Sequence, residues 1–225
     1  MDQQSKTNDQ KPKLKVCGLT KLDQIEKLIS LKIDYLGFIF YDRSPRYVLN
    51  SLTLAEIKSI NHKGKTGVFV NETIAQILEI SEKAELNIVQ LHGDESDEFI
   101  SELRLKLDKQ IGIIKVFRIG TELENLKFKI QNSKLKVDYF LFDTASIAFG
   151  GTGKSFDWQI LNDLEIYKPY FLSGGISLES VESIRLLKQK PFALDINSKF
   201  EIVPGNKDVE KIVKFKKTLC REATP

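Results

Sequence analysis

Eight short apolar runs, separated by longer segments of helical periodicity, are the feature that most limits how this chain can fold. The runs are rich in β-branched and aromatic residues, and the segments between them carry apolar residues at three- and four-residue spacing. Strands that alternate with helices pair in parallel through right-handed crossovers. The eight candidate strands are 14–17, 33–40, 66–70, 87–91, 111–117, 137–142, 170–172 and 192–196.

Eight such units with no break in composition predict a single-domain α/β fold, a closed (βα)8 TIM barrel over residues 14–225. An open, doubly wound sheet is the alternative. Residues 1–13 are polar, lack the apolar segment of a secretory signal and are predicted to form a flexible N-terminal tail. The helices predicted at 53–60 and 157–166 are the least regular, the first because it is short and the second because polar residues interrupt it.

Charge and cysteine usage exclude several classes of partner. The 34 basic and 31 acidic residues are spread along the chain, so neither nucleic acid nor a membrane surface is expected to bind. The longest apolar run, 35–41, is far shorter than the ~20 residues that span a bilayer. The two cysteines, Cys17 and Cys220, have no spacing typical of a disulfide framework or metal site, so we predict a cytoplasmic protein.

Residues that packing alone does not explain follow six of the eight predicted strands. In a barrel, the carboxyl ends of the strands carry the reacting groups, so these residues are expected to share one rim. They are Cys17 after the first strand, Arg46 after the second, His92 after the fourth, Asp143 after the sixth, 173–175 after the seventh and 195–198 after the eighth.

Two glycine clusters point to an anionic ligand. Gly174 and Gly175 lie between a strand and a helix, where backbone N–H groups and the helix N-terminus can bind a phosphate, although a tight turn would need the same glycines. The cluster at 150–154 lies in the long connection after Asp143 and is predicted to be a lid or ligand clamp, or else a mobile loop.

Cys17 and Asp143 are the candidate proton-transfer pair. A cysteine that ends a strand is also compatible with inert packing, whereas a carboxylate beside the apolar run 139–142 needs a partner or a task. Arg46 follows a rigid Ser-Pro segment and could hold a carboxylate bidentately, or could be solvated. His92 is one of only two histidines, so it is a candidate rim residue and a metal cluster is not expected.

These segments resemble the phosphoribosylanthranilate isomerase family over nearly the whole chain after the tail. The segments that carry the resemblance are KVCGLT (15–20), GFIF (37–40), SPRYV (44–48), GVFVN (67–71), QLHGDE (90–95), FDT (142–144), GGTG (150–153), FDW (156–158), SGGI (173–176), Pro204-Gly205 and Lys207-Asp208.

The resemblance implies a cofactor-free, metal-free isomerase of tryptophan biosynthesis, acting on a small phosphoribosyl substrate as a monomer or homodimer. It implies that Asp143 is the general acid that opens the ribose ring and that Cys17, as thiolate, is the base that removes the proton from C2. It also implies that Arg46 holds the anthranilate carboxylate, that His92 contacts the substrate, and that Gly174, Gly175, Asn197 and Ser198 bind the phosphate.

One segment departs from the family pattern. The family has a glycine where this chain has Lys199, and a lysine there would be strained if the position required a positive φ. Its side chain could instead add a charge near the phosphate.

Three other functions compete with this interpretation. A sugar-phosphate epimerase would need metal ligands at several strand ends, and a ring-forming synthase of the same pathway would need a catalytic lysine with a glutamate; neither set is evident in the sequence. A barrel that binds a phosphorylated metabolite without turning it over would not need both Cys17 and Asp143.

Overall fold

The chain forms a closed barrel of eight parallel strands that pair in sequence order, β1 to β8, in a computed structural model. The structure describes residues 11–119, 127, 130, 135–144 and 158–220. Pairing of β1 with β8 closes the barrel, with Lys13 opposite Ala193 and Val16 opposite Ile196. The strands are β1 Lys13–Val16, β2 Tyr35–Ile39, β3 Lys65–Phe69, β4 Ile88–Leu91, β5 Gly112–Ile119, β6 Tyr139–Thr144, β7 Tyr170–Ser173 and β8 Ala193–Ile196.

The predicted barrel is therefore confirmed, and the open sheet is wrong. Each observed strand begins and ends within two residues of a predicted apolar run. The barrel domain was predicted to start at residue 14, and β1 starts one residue earlier, at Lys13. Most of the predicted tail, residues 1–10, and the predicted lid at 150–154 lie outside the described residues.

Helices cover the outside of the strands. The predicted second helix begins after Thr53, whose side chain forms a capping box with Glu56, so a good cap stabilises a very short helix. The polar 157–166 segment forms a 3-10 helix, Trp158–Asp163, instead of an α-helix. The α-helices in the described residues are α1 Leu22–Ser30, α2 Leu54–Ser59, α3 Ile74–Lys83, α4 Asp97–Lys106, α5 Val181–Arg185 and α6 Val209–Cys220.

A short antiparallel hairpin lies between β8 and α6. Its strands are β9, Glu201–Val203, and β10, Asn206–Lys207. No helix in the described part of the chain is both long enough and apolar enough to cross a membrane.

Two apolar clusters form the core. The larger one packs the outward-facing strand residues against the helices, and it includes Val16 and Phe38. The smaller one fills the barrel interior, and its buried members are Tyr35, Ile88, Ile114, Val116, Leu141, Phe171 and Ala193. Because strand side chains alternate between the two faces, the next inward positions along several strands are polar, and these line the site.

Candidate active site

A cavity of about 390 Å³ opens at the carboxyl ends of the strands. Seven of the eight predicted site residues line it, and the eighth, Arg46, does not. The seven are Cys17, His92, Asp143, Gly174, Gly175, Asn197 and Ser198.

Alternation along the strands explains why these side chains converge. Asp143 follows the interior residue Leu141 by two positions on β6, so both point into the barrel. In the same way, Cys17 follows Lys15, and His92 follows Gln90 by two positions. The same alternation places Lys15 and Gln90 one layer deeper in the barrel than Cys17 and His92.

Cys17 is buried, with 5% of its surface exposed. Gly37 on the neighbouring strand makes room for it, because a side-chain carbon at Gly37 would lie 2.8 Å from the Cys17 sulfur. Burial raises the pKa of the Cys17 thiol above its ordinary value, and nearby Asp195 raises it further. The ammonium groups of Lys15 and Lys207 lower the pKa of Cys17, and Lys15 is also within hydrogen-bonding reach of the sulfur.

Lys15 is an unusual residue for a barrel interior because its side chain is fully buried. Its Nζ donates to Gln90 Oε1 and to Asp195 Oδ2, both at 2.8 Å. Burial acts to lower the pKa of Lys15, but the charges of Asp195 and Cys17 and their hydrogen bonds leave it raised. Lys15 is therefore a fixed positive charge beside the candidate base.

Asp195, the partner of Lys15, is 5% exposed and also lines the cavity. Burial raises the pKa of Asp195, while Lys15 acts to lower it. Its Oδ1 is buried and has no hydrogen-bond partner among the residues that the structure describes.

A second set of contacts reaches Asp143. Nε2 of Gln90 lies 3.0 Å from Nδ1 of His92, and Nε2 of His92 lies 3.3 Å from Oδ2 of Asp143. Both His92 and Asp143 keep about a quarter of their side-chain surface exposed, 26% and 25%, so they can meet a substrate in the cavity.

Arg46 is held by Glu201 on the hairpin. Its Nε lies 2.9 Å and its Nη2 2.6 Å from Glu201 Oε2. The other Glu201 oxygen accepts a 2.6 Å hydrogen bond from Lys207, which also donates to Asn197. Burial works to raise the pKa of Glu201, but the hydrogen bonds from Arg46 and Lys207 leave it below its ordinary value. Arg46, which was predicted to hold a substrate carboxylate, is thus already ion-paired with Glu201.

Gly18 lets Arg46 approach the rim. A side-chain carbon at Gly18, whose φ is +72°, would lie 2.6 Å from Cδ of Arg46 and 3.0 Å from Oδ1 of Asn197. The arginine therefore crosses the backbone directly after Cys17, next to the strand-eight end of the cavity.

The predicted phosphate cradle has an open backbone. Gly174 and Gly175 have φ values of +79° and +71°. A side-chain carbon at Gly175 would meet no atom within 4 Å, so the surface there is free for a ligand. A 3-10 turn, Leu178–Ser180, follows and leads into α5, and Asn197 and Ser198 lie at the start of another 3-10 turn.

Lys199 lines the same cavity as Gly174 and Ser198, and its side chain is exposed. The non-glycine residues with positive φ in the described part of the chain are Lys32, Asn71 and Glu85. Lys199 is not among them, so the strain that a lysine would suffer at a glycine-type position does not arise. Among the described residues, no group of three or more His, Cys, Asp or Glu side chains could hold a metal ion.

Sequence reasoning missed Lys15, Gln90, Lys207 and Glu201 as parts of the site. The signal for the first two was present, since each precedes a predicted site residue by two positions on a strand. Lys207 stands in a segment that carries the family resemblance, but no comparable signal identifies Glu201, because its contacts depend on how the chain folds back between β8 and α6.

Comparison with known proteins gives one consistent match. The sequence model of N-(5'-phosphoribosyl)anthranilate isomerase matches residues 14–218. The chain is 41% identical over 206 residues to N-(5'-phosphoribosyl)anthranilate isomerase of Parabacteroides distasonis, with 90% of each chain covered.

Solved structures agree with the sequence match. One shows monomers generated from the dimeric phosphoribosylanthranilate isomerase of Thermotoga maritima. Its TM-score is 0.74 at 27% identity, with 94% of this chain and all of that chain covered. Another shows a phosphoribosyl anthranilate isomerase in complex with reduced 1-(o-carboxyphenylamino)-1-deoxyribulose 5-phosphate. Its TM-score is 0.73 at 28% identity, with 93% of this chain and 98% of that chain covered.

Proposed function

The chain belongs to the N-(5'-phosphoribosyl)anthranilate isomerase family, and we propose that Cys17 and Asp143 carry out the proton transfers of its reaction. That reaction is the Amadori rearrangement of N-(5-phosphoribosyl)anthranilate to 1-(2-carboxyphenylamino)-1-deoxyribulose 5-phosphate, a step of tryptophan biosynthesis. The observation that carries the proposal is that a thiol, a carboxylate and an open glycine backbone line one cavity.

In the first step, the acid form of Asp143 protonates the ribose ring oxygen. The bond between that oxygen and C1 breaks, the ring opens, and the anthranilate nitrogen forms a Schiff base with C1. Asp143 suits this role because it is a quarter exposed to the cavity and lies beside His92, which can hydrogen-bond to the resulting carboxylate.

In the second step, the thiolate of Cys17 removes the proton from C2 of the Schiff base. The electron pair of that C–H bond forms the C1–C2 double bond of an enaminol, which tautomerises to the ketone. Because burial favours the thiol, the thiolate depends on Lys15 and Lys207, both of which lower the pKa of Cys17.

The substrate's two anionic groups are proposed to bind different groups of the rim. The phosphate accepts hydrogen bonds from backbone N–H groups at Gly174, Gly175, Asn197 and Ser198. The anthranilate carboxylate contacts Arg46 through Nη1, which among the described residues has no hydrogen-bond partner while Nε and Nη2 hold Glu201.

The reaction class and setting follow from the same chemistry. We propose an aldose–ketose type of intramolecular oxidoreductase, because C1 is reduced while C2 is oxidised within one molecule and the hydrogen moves as protons. The chain is proposed to act in the cytoplasm as a monomer or homodimer, since the isomerase of Thermotoga maritima is described as dimeric and as convertible to monomers.

The test is a turnover assay that follows loss of the fluorescent anthranilate adduct. Cys17→Ala and Asp143→Asn should each abolish turnover while leaving the melting temperature close to wild type. Matched controls are Cys220→Ala, at the other cysteine, and Asp138→Asn, at the amino end of β6, where the carboxylate accepts from the N–H of Ile113 at 2.8 Å.

Full activity in either site variant would contradict the proposed pair. A wild-type protein that binds a phosphorylated substrate analogue but turns nothing over would instead be a metabolite-binding barrel.

A further inference from the structure

A string of side chains connects Lys15, beside the base, with Asp143, the acid. Lys15 Nζ is 2.8 Å from Gln90 Oε1, Gln90 Nε2 is 3.0 Å from His92 Nδ1, and His92 Nε2 is 3.3 Å from Asp143 Oδ2. Lys15 is fully buried and Gln90 is 1% exposed, so water does not compete for the Lys15–Gln90 hydrogen bond.

Lys15 determines which group donates and which accepts in each contact along this string of side chains. An ammonium group has three N–H donors and no acceptor. Lys15 directs two of these donors to Gln90 Oε1 and to Asp195 Oδ2.

The orientation of the Gln90 amide follows from its contact with Lys15. Because Lys15 can only donate, the amide of Gln90 must present Oε1 to it and its NH₂ group to His92. An amide nitrogen only donates, so Nδ1 of His92 must accept and carries no proton. The neutral imidazole therefore has its proton on Nε2, the nitrogen that faces Asp143.

We infer that Lys15 and Gln90 fix the tautomer of His92, and that His92 is thereby a positioning residue whose Nε2–H faces Asp143 at 3.3 Å and donates to the carboxylate once it forms. The inference rests on the proposed function, in which Asp143 is the acid. The hydrogen bond from His92 stabilises the carboxylate that remains once Asp143 has protonated the ring oxygen, and it leaves Oδ1 of Asp143 for the substrate.

The second histidine is an internal reference for this tautomer. Nδ1 of His62 accepts from the N–H of Gly64 at 3.0 Å, and its Nε2 lies 2.9 Å from the carbonyl oxygen of Ile33. A carbonyl only accepts, so His62 also carries its proton on Nε2, and no residue of the string takes part in fixing it.

The experiment is nitrogen NMR of the two histidine rings in ¹⁵N-labelled protein, at a pH where both are neutral. We expect wild-type His92 and His62 to show the same Nε2-protonated pattern, with a His92→Asn variant identifying the signals. In Gln90→Glu, an isosteric carboxylate that cannot donate faces Nδ1, so the proton of the neutral His92 ring should move from Nε2 to Nδ1 while His62 is unchanged.

The same variant tests the consequence for turnover. Losing the positioned hydrogen bond to a charged group should lower kcat roughly tenfold or more and change KM much less. The matched control is Gln189→Glu, which places the same substitution before β8, where the side chain donates to the carbonyl oxygen of Ile166. It should leave kcat and the His92 signals as they are.

A wild-type His92 that carries its proton on Nδ1 would overturn the inference without any variant. A Gln90→Glu protein with unchanged His92 signals, or with a changed tautomer and unchanged kcat, would also overturn it. If Asp143→Asn kept full activity, the proposed function would fail, whereas the NMR result would still decide the tautomer by itself.

Discussion

Replacing Lys15 with methionine should destabilise the protein strongly, because it leaves a buried carboxylate without its partner. Lys15 and Asp195 are 0% and 5% exposed and are joined at 2.8 Å. Oδ1 of Asp195 has no hydrogen-bond partner in the described part of the chain, and the variant removes the Lys15 donor from Oδ2 as well. Breaking a buried ion pair in this way costs about 3–5 kcal/mol of the free energy of unfolding, a large part of the ~5–15 kcal/mol typical of a domain.

The pH dependence of this loss has a definite sign. The folded-state pKa of Lys15 is raised, so its stabilising contribution is complete below the ordinary lysine pKa and disappears only as the pH rises through the higher folded value. Removing Lys15 also removes the charge that lowers the pKa of Asp195, so urea denaturation should show a larger Lys15→Met deficit at high pH, where Asp195 is ionised, than at low pH, where it takes up a proton.

Activity should respond separately from stability. Lys15 lowers the pKa of Cys17, so Lys15→Met should move the acidic limb of the kcat/KM profile to higher pH. The double variant Lys15→Met, Asp195→Asn removes both charges and should recover most of the stability. It should keep part of the pH shift, because Lys15 affects the Cys17 pKa more strongly than Asp195 does.

Two results would refute this reasoning. One is a Lys15→Met protein that unfolds at the wild-type urea concentration, and the other is an acidic limb that does not move. Alkylation of Cys17 by iodoacetamide as a function of pH gives an independent measure of the same thiol pKa.

Two further predictions concern the rim. Gly175→Ala should cost about 1–2 kcal/mol of the free energy of unfolding, because φ is +71° at this position. The new methyl group would enter the open space proposed for the phosphate, so it should also raise KM. An unchanged KM would argue against that subsite. Glu201→Gln should lose about 3 kcal/mol at neutral pH. Because the Glu201 pKa is lowered, its contribution is lost as the pH falls through the folded value, so urea denaturation should show the deficit shrinking at acid pH; a constant deficit would contradict this.

Much of the site could be predicted because it depends on local pattern. Period-two alternation sends Cys17 and Asp143 to the inside of their strands, and parallel pairing brings the carboxyl ends of all strands to one rim. The glycines at 174 and 175 are recognisable for a similar reason, since they stand between a strand and a helical turn and both adopt positive φ. These features hold whichever residues lie on neighbouring strands.

The ion pair of Arg46 could not be predicted from local sequence pattern. Its type and place at the rim were predictable, but its ion pair with Glu201 joins residues 155 positions apart and depends on the hairpin after β8. The helix predicted at 157–166, which polar residues interrupt, is a 3-10 helix over Trp158–Asp163 in the structure.

By itself, the sequence determined the eight-strand barrel, the rim where the candidate site lies and the choice of Cys17 and Asp143 as the proposed acid–base pair. Only the tertiary structure decided the electrostatic surroundings of that pair. Lys15 meets Asp195, 180 positions away, because closure of the barrel sets these two residues opposite each other in the β1–β8 register. That register is a property of the closed sheet as a whole, and no spacing along the chain encodes it.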